Sequence, residues 1–372
     1  MATNTIDKTA GKTIGILTSG GDCPGLNAVI RAAASHAIRA YGWRVLGIHE
    51  STVGLMARPV KAEELTLARL SSSLTRTGGT ILGTTNRGDP FSFPMADGTR
   101  KDRVDDVIEG YRLAGLDALI VVGGDGSFAI MNRIVERSQG AMRMVAIPKT
   151  IDNDVAATES AIGFATAVGV ATEALDRLEP TAASHSRIMV LEVMGRDAGH
   201  IALHSGIAGG ADVILIPEIP YKLKSVADRI AQVRREEGRN HALVVVAEGV
   251  CGEDGKAVGI PDSLGRTRYG GIGEYMAEKL ADLTGAETRV TVLGHVQRGG
   301  APAALDRVMA SAFGVKAVDL IAEGRFGRMV AWQNRQVVDV PIADVVKGPQ
   351  LVDVGGNLVR TARGLGIAFG DA

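Results

Sequence analysis

A chain of 372 residues is long enough for two domains or one large α/β domain, and with 45% hydrophobic but only 4% aromatic residues and 48 glycines it suits aliphatic parallel strands and tight βα turns rather than an aromatic-rich β-sandwich. Its 41 basic residues nearly cancel 42 acidic ones; a formal net charge of −1 leaves no global field to draw nucleic acid or anionic membrane, so any anion site has to be built locally. Two cysteines, Cys23 and Cys251, exclude a disulfide framework and fit a reducing cytosol. The stretch from Met1 to Lys12 has no apolar signal core, and no apolar run approaches the roughly 20 residues of a bilayer span. A soluble, cytosolic protein is expected.

Thr13 to Thr18 reads as the first strand. It runs into Ser19-Gly20-Gly21-Asp22-Cys23-Pro24-Gly25-Leu26-Asn27 and a helix to about Ala40. Strand, glycine turn and helix together aim backbone N–H groups at a phosphate. The pattern is neither the GxGxxG fingerprint nor the Walker lysine motif, and a plain tight turn would use the same residues. Residues 44–48 read as a second strand. Thr77 to Asp89 reads as a polar surface loop, in which Arg87 either swings onto a phosphate or is simply solvated. Leu116 to Val122 is an apolar strand, followed at once by Gly123-Gly124-Asp125-Gly126-Ser127 and a helix over Phe128 to Ser138. Its glycines let a phosphate approach the backbone, and Asp125 stands where it would hold Mg²⁺ between phosphate oxygens.

Met144 to Ile147 is the next buried strand. Pro148 is expected to bar further pairing, which makes Lys149 to Asp154 a loop just past the strand's carboxyl end, where open α/β sheets bind ligands. Here Lys149, Thr150, Asp152, Asn153 and Asp154 crowd a short connector. One carboxylate would accept a proton from a substrate hydroxyl while another helps hold a metal ion near a phosphate. An Asx-rich turn bonded to its own backbone is the plainer alternative.

Beyond it, strands are expected at 187–193, 212–216, 242–247 and 289–294. The first runs into Met194-Gly195-Arg196-Asp197-Ala198-Gly199, the third into Glu248-Gly249, and the last into His295-Val296-Gln297-Arg298-Gly299-Gly300. His200 and His204 share a helix face but lack a third ligand, and no glutamate follows His200, so packing or capping is the expectation and not zinc. Residues 252–271 suit a loop or hairpin, and the tail from Pro349 carries no evident chemistry. Arg187, Arg196, Arg289 and Arg298 all flank apolar strands. Such arginines are usually solvated or paired, but four of them beside two glycine turns suit a pair of phosphorylated ligands.

Five stretches, TSGGDCPGLN at 18–27, GGDGS at 123–127, PKTIDND at 148–154, MGRDAG at 194–199 and GHVQRGG at 294–300, together closely resemble the 6-phosphofructokinase family, in the family's order. The resemblance runs from about Thr13 to the C-terminus. It implies two similar Rossmann-like α/β domains with mostly parallel sheets and the active site in the cleft between them. Residues 13–162 with about 297–347 would form the phosphoryl-donor domain; 163–296 with about 348–372 would form the sugar-phosphate domain. The implied reaction is ATP-dependent phosphorylation of fructose 6-phosphate at its 1-hydroxyl, with Mg²⁺, in a homo-oligomer (a dimer or tetramer) that needs neither nucleic acid nor membrane.

By the same resemblance Asp152 would be the base, assisted by Thr150 and Asp154, and Asp125 would hold Mg²⁺. Gly20, Arg87, Gly123, Gly124, Asp125, Gly126 and Ser127 would face the donor. Arg196 would stabilise the transferred phosphoryl group. Met194, Gly195, Glu248, His295 and Arg298, with Thr150, Asp152 and Arg196, would hold the sugar phosphate. Arg187 and Arg289 would reach its 6-phosphate from a neighbouring subunit.

The donor signal is mixed. Gly126 stands where pyrophosphate users resemble one another in having aspartate, whose carboxylate would crowd a nucleotide's α-phosphate. Lys149 stands where purely ATP-using bacterial enzymes have glycine. The combination resembles a mixed subgroup that includes actinobacterial ATP enzymes. Gly126 weighs more because it acts by exclusion, so ATP is expected and pyrophosphate is the alternative. A catalytically silent sugar-phosphate-sensing subunit is a further alternative, against which intact Asp125, Asp152 and Arg196 argue. At the effector site of allosteric relatives, Arg31 matches an expected arginine while Ser35 and Glu179 replace two others, so weak responses to ADP and phosphoenolpyruvate are expected.

Overall fold

The computed structural model describes residues 11–86, 88–261 and 267–371. Two compact units form. The first comprises Met1–Thr150, Val155–Gly163 and Arg298–Pro349; the second comprises Ile151–Asp154, Phe164–Gln297 and Gln350–Ala372.

The sheet of the first unit runs, in space, Gln336–Pro341, Arg328–Gln333, Met144–Thr150, Ala118–Gly123, Thr13–Thr18, Arg44–Ile48, Ala62–Glu64. Its inner pairs are parallel, and only the two edge strands run antiparallel. The inner strands are mostly apolar and buried because helices cover both faces. On one face Leu17, Val121 and Ala146 pack with Val104 and Val107 of helix Val104–Leu113, and with Phe128, Met131 and Ile134 of helix Asp125–Arg137. Helices Leu26–Tyr41 and Ala304–Ala322 pack along one another. Their approach depends on a missing side chain: a Cβ on Gly314 would lie 2.9 Å from Ala33 N and 3.0 Å from Val29 O.

The second unit holds a fully parallel sheet in the order Val213–Leu215, Ala242–Ala247, Ile188–Val193, Thr288–Val292. The stretch 252–271 contains an antiparallel hairpin of Gly259–Pro261 with Thr267–Tyr269. The tail forms helix Asn357–Gly364 and then bonds to the sheet edge, where Ile214 N donates to Ala368 O and Ala368 N to Asp212 O.

Three local expectations are corrected. Pro148 does not end its strand, which runs Met144–Thr150; Gly123 pairs with Pro148, after which Lys149 and Thr150 pair with Ile162 and Gly163. Proline removes one N–H donor but holds φ in a range that extended backbone tolerates, so the strand changes partner there and continues. The helix expected from Phe128 begins at Asp125, because Gly124 takes the extended cap conformation and an acidic residue favours the first turn. The segment 77–89 is not a free surface loop: Leu82 is fully buried, and Asn27 holds it through Thr77 O, Gly78 O and Ile81 N.

Gly314→Val should therefore lower stability by about 1–3 kcal/mol through overpacking of the helix pair. A urea melt with the wild-type midpoint would show that the two helices do not need this close approach.

Candidate active site

In the first unit, parallel pairing sends the chain out of Thr13–Thr18, Ala118–Gly123 and Met144–Thr150 at one edge of the sheet. Gly20 sits at φ +81°, a left-handed conformation that suits glycine, and its N donates to Thr85 O at 3.0 Å. A Cβ there would meet Lys149 Nζ at 3.3 Å. Lys149 is buried and donates to Gly21 O at 2.6 Å. Ser127 Oγ donates to Ser19 Oγ at 3.0 Å, which ties the second glycine turn to the first.

Gly124 caps helix Asp125–Arg137 with no side-chain bond of any kind. Helix geometry leaves the N–H groups of Asp125, Gly126 and Ser127 without partners in the helix, a candidate anion cradle at the dipole's positive end. A cavity of about 270 Å³ lies against this cradle, lined by Ser19, Gly20, Gly126 and Ser127 and reaching Ser51 and Thr52. A Cβ on Gly126 would meet nothing within 4 Å, so packing does not require glycine at that position. Gly123 is different, since a Cβ would come 2.8 Å from Ser127 Cβ.

Asp125 is half-buried at the helix start. Among the described residues no cluster of three metal-ligating side chains exists. One carboxylate beside a phosphate cradle does fit Mg²⁺, which keeps several waters and shares its coordination with phosphate oxygens. Arg298 was expected with the sugar phosphate. Its Nη1 donates to Asp22 O at 3.4 Å, and a Cβ on Gly21 would lie 3.0 Å from it, so within this unit its guanidinium rests on the first glycine turn. Cys23, in the same turn, is buried with its thiol on Ile162 O, and burial pushes the thiol up to about 12. Arg87 lies outside the described residues.

In the second unit, Asp152 and Asp154 are half-buried on either side of a buried Asn153 at φ +54°, a turn that asparagine tolerates. Asp154 O accepts from Gln350 N at 2.7 Å. Thr150, which ends its strand in the first unit, is also half-buried. Met194 N donates to Oε1 of the fully buried Gln297 at 2.6 Å. Gly195 sits at φ +136° with Ala198 O 2.8 Å from where a Cβ would be.

Glu248 N donates to Val193 O at 2.8 Å and Gly249 N to Gly195 O at 3.1 Å, while a Cβ on Gly249 would fall 1.8 Å from Arg196 O. The Arg196 backbone is thus clamped, while its exposed side chain has Nε 3.7 Å from Asp197 Oδ2. His295 is exposed in the short helix Gly294–Arg298. His200 and His204 pack edge-on against Phe164, and His200 Nε2 lies 3.0 Å from Gln350 O.

The four arginines do not form one cluster. Arg187 precedes Ile188–Val193 and Arg196 comes after it, so roughly 20 Å of extended chain separates them. Arg289, opposite Met189, lies toward the same end as Arg187. Both pair with Glu287, Arg187 Nη2 at 3.0 Å, and that hydrogen bond above all holds the Glu287 carboxyl below its ordinary range. Three positioning residues had no clear sequence signal: Gln297, Gly249, and Glu218, whose carboxylate accepts from Gly199 N and Val352 N. Gln297 lay inside a noted motif, but only its contact 103 residues away gives it a role. Of the effector residues, Arg31 and Ser35 are half-buried on helix Leu26–Tyr41, and Glu179 lies on helix Phe164–His185, 4.0 Å from His241 Nε2.

Comparison with known proteins gives a consistent result. The family profile described as phosphofructokinase matches residues 13–321. ATP-dependent 6-phosphofructokinase 1 of a Synechocystis species is 62% identical over 97% of this chain and 99% of its own. ATP-dependent 6-phosphofructokinase of Chloroflexus aurantiacus is 46% identical over 96% and 98%. Among solved structures, Pichia pastoris phosphofructokinase in the T-state superposes with a TM-score of 0.78 at 33% identity over 90% of this chain, which spans only 35% of that longer one. Pyrophosphate-dependent phosphofructokinase from Marinobacter aquaeolei matches with a TM-score of 0.75 over 92% of this chain and 86% of that one, at 22% identity, a likeness of fold alone.

Proposed function

The chain belongs to the phosphofructokinase family, and from that premise we propose that it is an ATP-dependent 6-phosphofructokinase of glycolysis, acting in the cytoplasm. It transfers the γ-phosphoryl group of ATP to the 1-hydroxyl of D-fructose 6-phosphate. The observation that carries this reading is the cradle of Gly20, the Asp125–Ser127 helix start and buried Lys149. Membership alone would be compatible with a silent subunit, whereas an intact cradle with Asp125 beside it argues for turnover.

Asp125 would hold Mg²⁺, and Gly20, Gly123, Gly124, Gly126 and Ser127 would face the polyphosphate. When bound, the ion neutralises charge on the phosphate oxygens. Asp152 takes the proton of the 1-hydroxyl as its oxygen bonds to the γ-phosphorus, and the bond to the ADP oxygen breaks. Thr150 and Asp154 assist, and Arg196, its side chain exposed on a clamped backbone, stabilises the negative charge of the group in transit. Met194 and Gly195, fixed by Gln297 and Gly249, join Glu248, His295 and Arg298 in holding the sugar phosphate. Arg187 and Arg289 serve the 6-phosphate of a neighbouring subunit's site, because one small sugar does not span the length of strand Ile188–Val193. A homo-oligomer, dimer or tetramer, is therefore part of the mechanism.

ATP is favoured over pyrophosphate as donor because the space in front of Gly126 is open. Lys149 does not decide the matter: with Nζ on Gly21 O it is part of the scaffold and serves either polyphosphate.

Asp152→Asn keeps the shape and removes the proton acceptor, so kcat should fall by roughly 10²–10⁴ with little change in fructose 6-phosphate binding. Near-normal kcat in this variant would sink the assignment of the base. Gly126→Asp should sharply weaken use of ATP by setting a carboxylate against the α-phosphate; unchanged ATP kinetics would remove the argument for the donor. Ser35 and Glu179 in place of arginines remove charge-assisted bonds and add repulsion toward a phosphorylated effector. Fructose 6-phosphate saturation at fixed MgATP should accordingly barely respond to ADP or phosphoenolpyruvate. A large shift that disappears in Arg31→Ala would mean that the effector site works after all.

A further inference from the structure

Asp306 lies in the first turn of helix Ala304–Ala322 and is fully buried. The helix dipole favours an acidic residue there even when it stays in water, with no loss of hydration. The helix alone therefore does not account for a carboxylate withdrawn from solvent. Its Oδ1 accepts from Gly163 N at 2.9 Å, across 143 residues of chain. Gly163, at φ +102°, ends the strand Ile162–Gly163, whose two residues offer too little pairing to hold themselves in place. Two further contacts converge on that strand. The Cys23 thiol donates to Ile162 O at 3.3 Å, and a Cβ on Gly25 would lie 2.6 Å from Ile162 Cγ2 and 3.8 Å from Asp306 Cβ.

What this strand holds gives the carboxylate its task. Lys149 stands opposite Ile162 and Thr150 opposite Gly163. Thr150 and Gly163 are each the last residue of their stretch in the first unit, so this pair sets where Ile151–Asp154 begins. We propose that Asp306 is a positioning residue for phosphoryl transfer: it fixes Gly163, Gly163 fixes Thr150, and Thr150 sets the start of the turn that carries Asp152. This rests on the reading of Asp152 as the base. A base displaced from its working geometry removes the proton more slowly, while the groups that bind the two ligands are left as they were.

The test uses the full-length enzyme as wild type, Asp306→Ala, Asp152→Asn and the double variant. It measures kcat per folded site at saturating MgATP and fructose 6-phosphate, with Kd for each ligand by calorimetry. Asp306→Ala should lower kcat about tenfold to hundredfold and leave both Kd values within about twofold of wild type. Asp306→Asn, whose side-chain carbonyl still accepts from Gly163 N, should recover most of the rate. In the Asp152→Asn background, where no base is left to misplace, Asp306→Ala should cost almost nothing more. Asp306→Ser, whose hydroxyl falls short of Gly163 N, takes the place of the alanine variant if that one does not fold. A merely structural aspartate would lower the melting temperature and leave kcat per folded site unchanged, which would overturn the proposal. So would an equal fall in both backgrounds, or no recovery in Asp306→Asn. Near-normal kcat in Asp152→Asn would sink the reading of the base and the proposal with it, whereas a slow Asp152→Asn beside a normal Asp306→Ala sinks the proposal alone.

Discussion

Parallel strand pairing is the constraint on which the site depends. Parallel neighbours are joined by crossovers, so every loop after a strand leaves from the same edge of the sheet. In the first unit Thr18 pairs with Val122 and Gly123 with Pro148, so the two glycine turns and Lys149 emerge side by side although about 130 residues of chain separate the first from the last. The cradle needs no special fold beyond this register. Glycine at Gly20 and an extended cap at Gly124 let the backbone itself supply the anion donors, where a larger residue at Gly20 would press on Lys149.

The second unit applies the same rule to a different task. Val193 pairs with Ala247, so Met194 and Glu248 leave adjacent strand ends together. The turns beyond those strand ends are held by contacts with almost no tolerance: Gly249 has no room for a Cβ against Arg196 O, and Gln297 is committed to Met194 N. A precisely held backbone with an exposed side chain suits the charge-stabilising role proposed for Arg196. At the other end of the same strands Glu287 pairs with both Arg187 and Arg289 and keeps the two cations together.

Much of this was legible in the sequence, for identifiable reasons. Strands Thr13–Thr18 and Ala242–Ala247 were legible in full because both are short aliphatic runs bounded by turn residues, as strands buried on both faces must be. The glycine turns were legible because few other residues suit a close backbone approach. Pro148 misleads because a lost donor suggests a lost strand, while the ladder moves on to Ile162 and Gly163. The grouping of four arginines misleads in a different way: Arg187 and Arg196 flank one strand, and its length alone keeps them apart. Gln297 and Glu218 were not legible, since each owes its role to partners far away in the chain, and local pattern carries no trace of that.

The choice of phosphoryl donor is the central claim, and one steady-state experiment on the wild-type enzyme decides it. Initial rates of fructose 1,6-bisphosphate formation are compared with MgATP and with magnesium pyrophosphate, each at saturating fructose 6-phosphate. An open approach to Gly126, which leaves room for a nucleotide's α-phosphate, predicts faster turnover with ATP than with pyrophosphate. Turnover with pyrophosphate equal to or faster than that with ATP would contradict it.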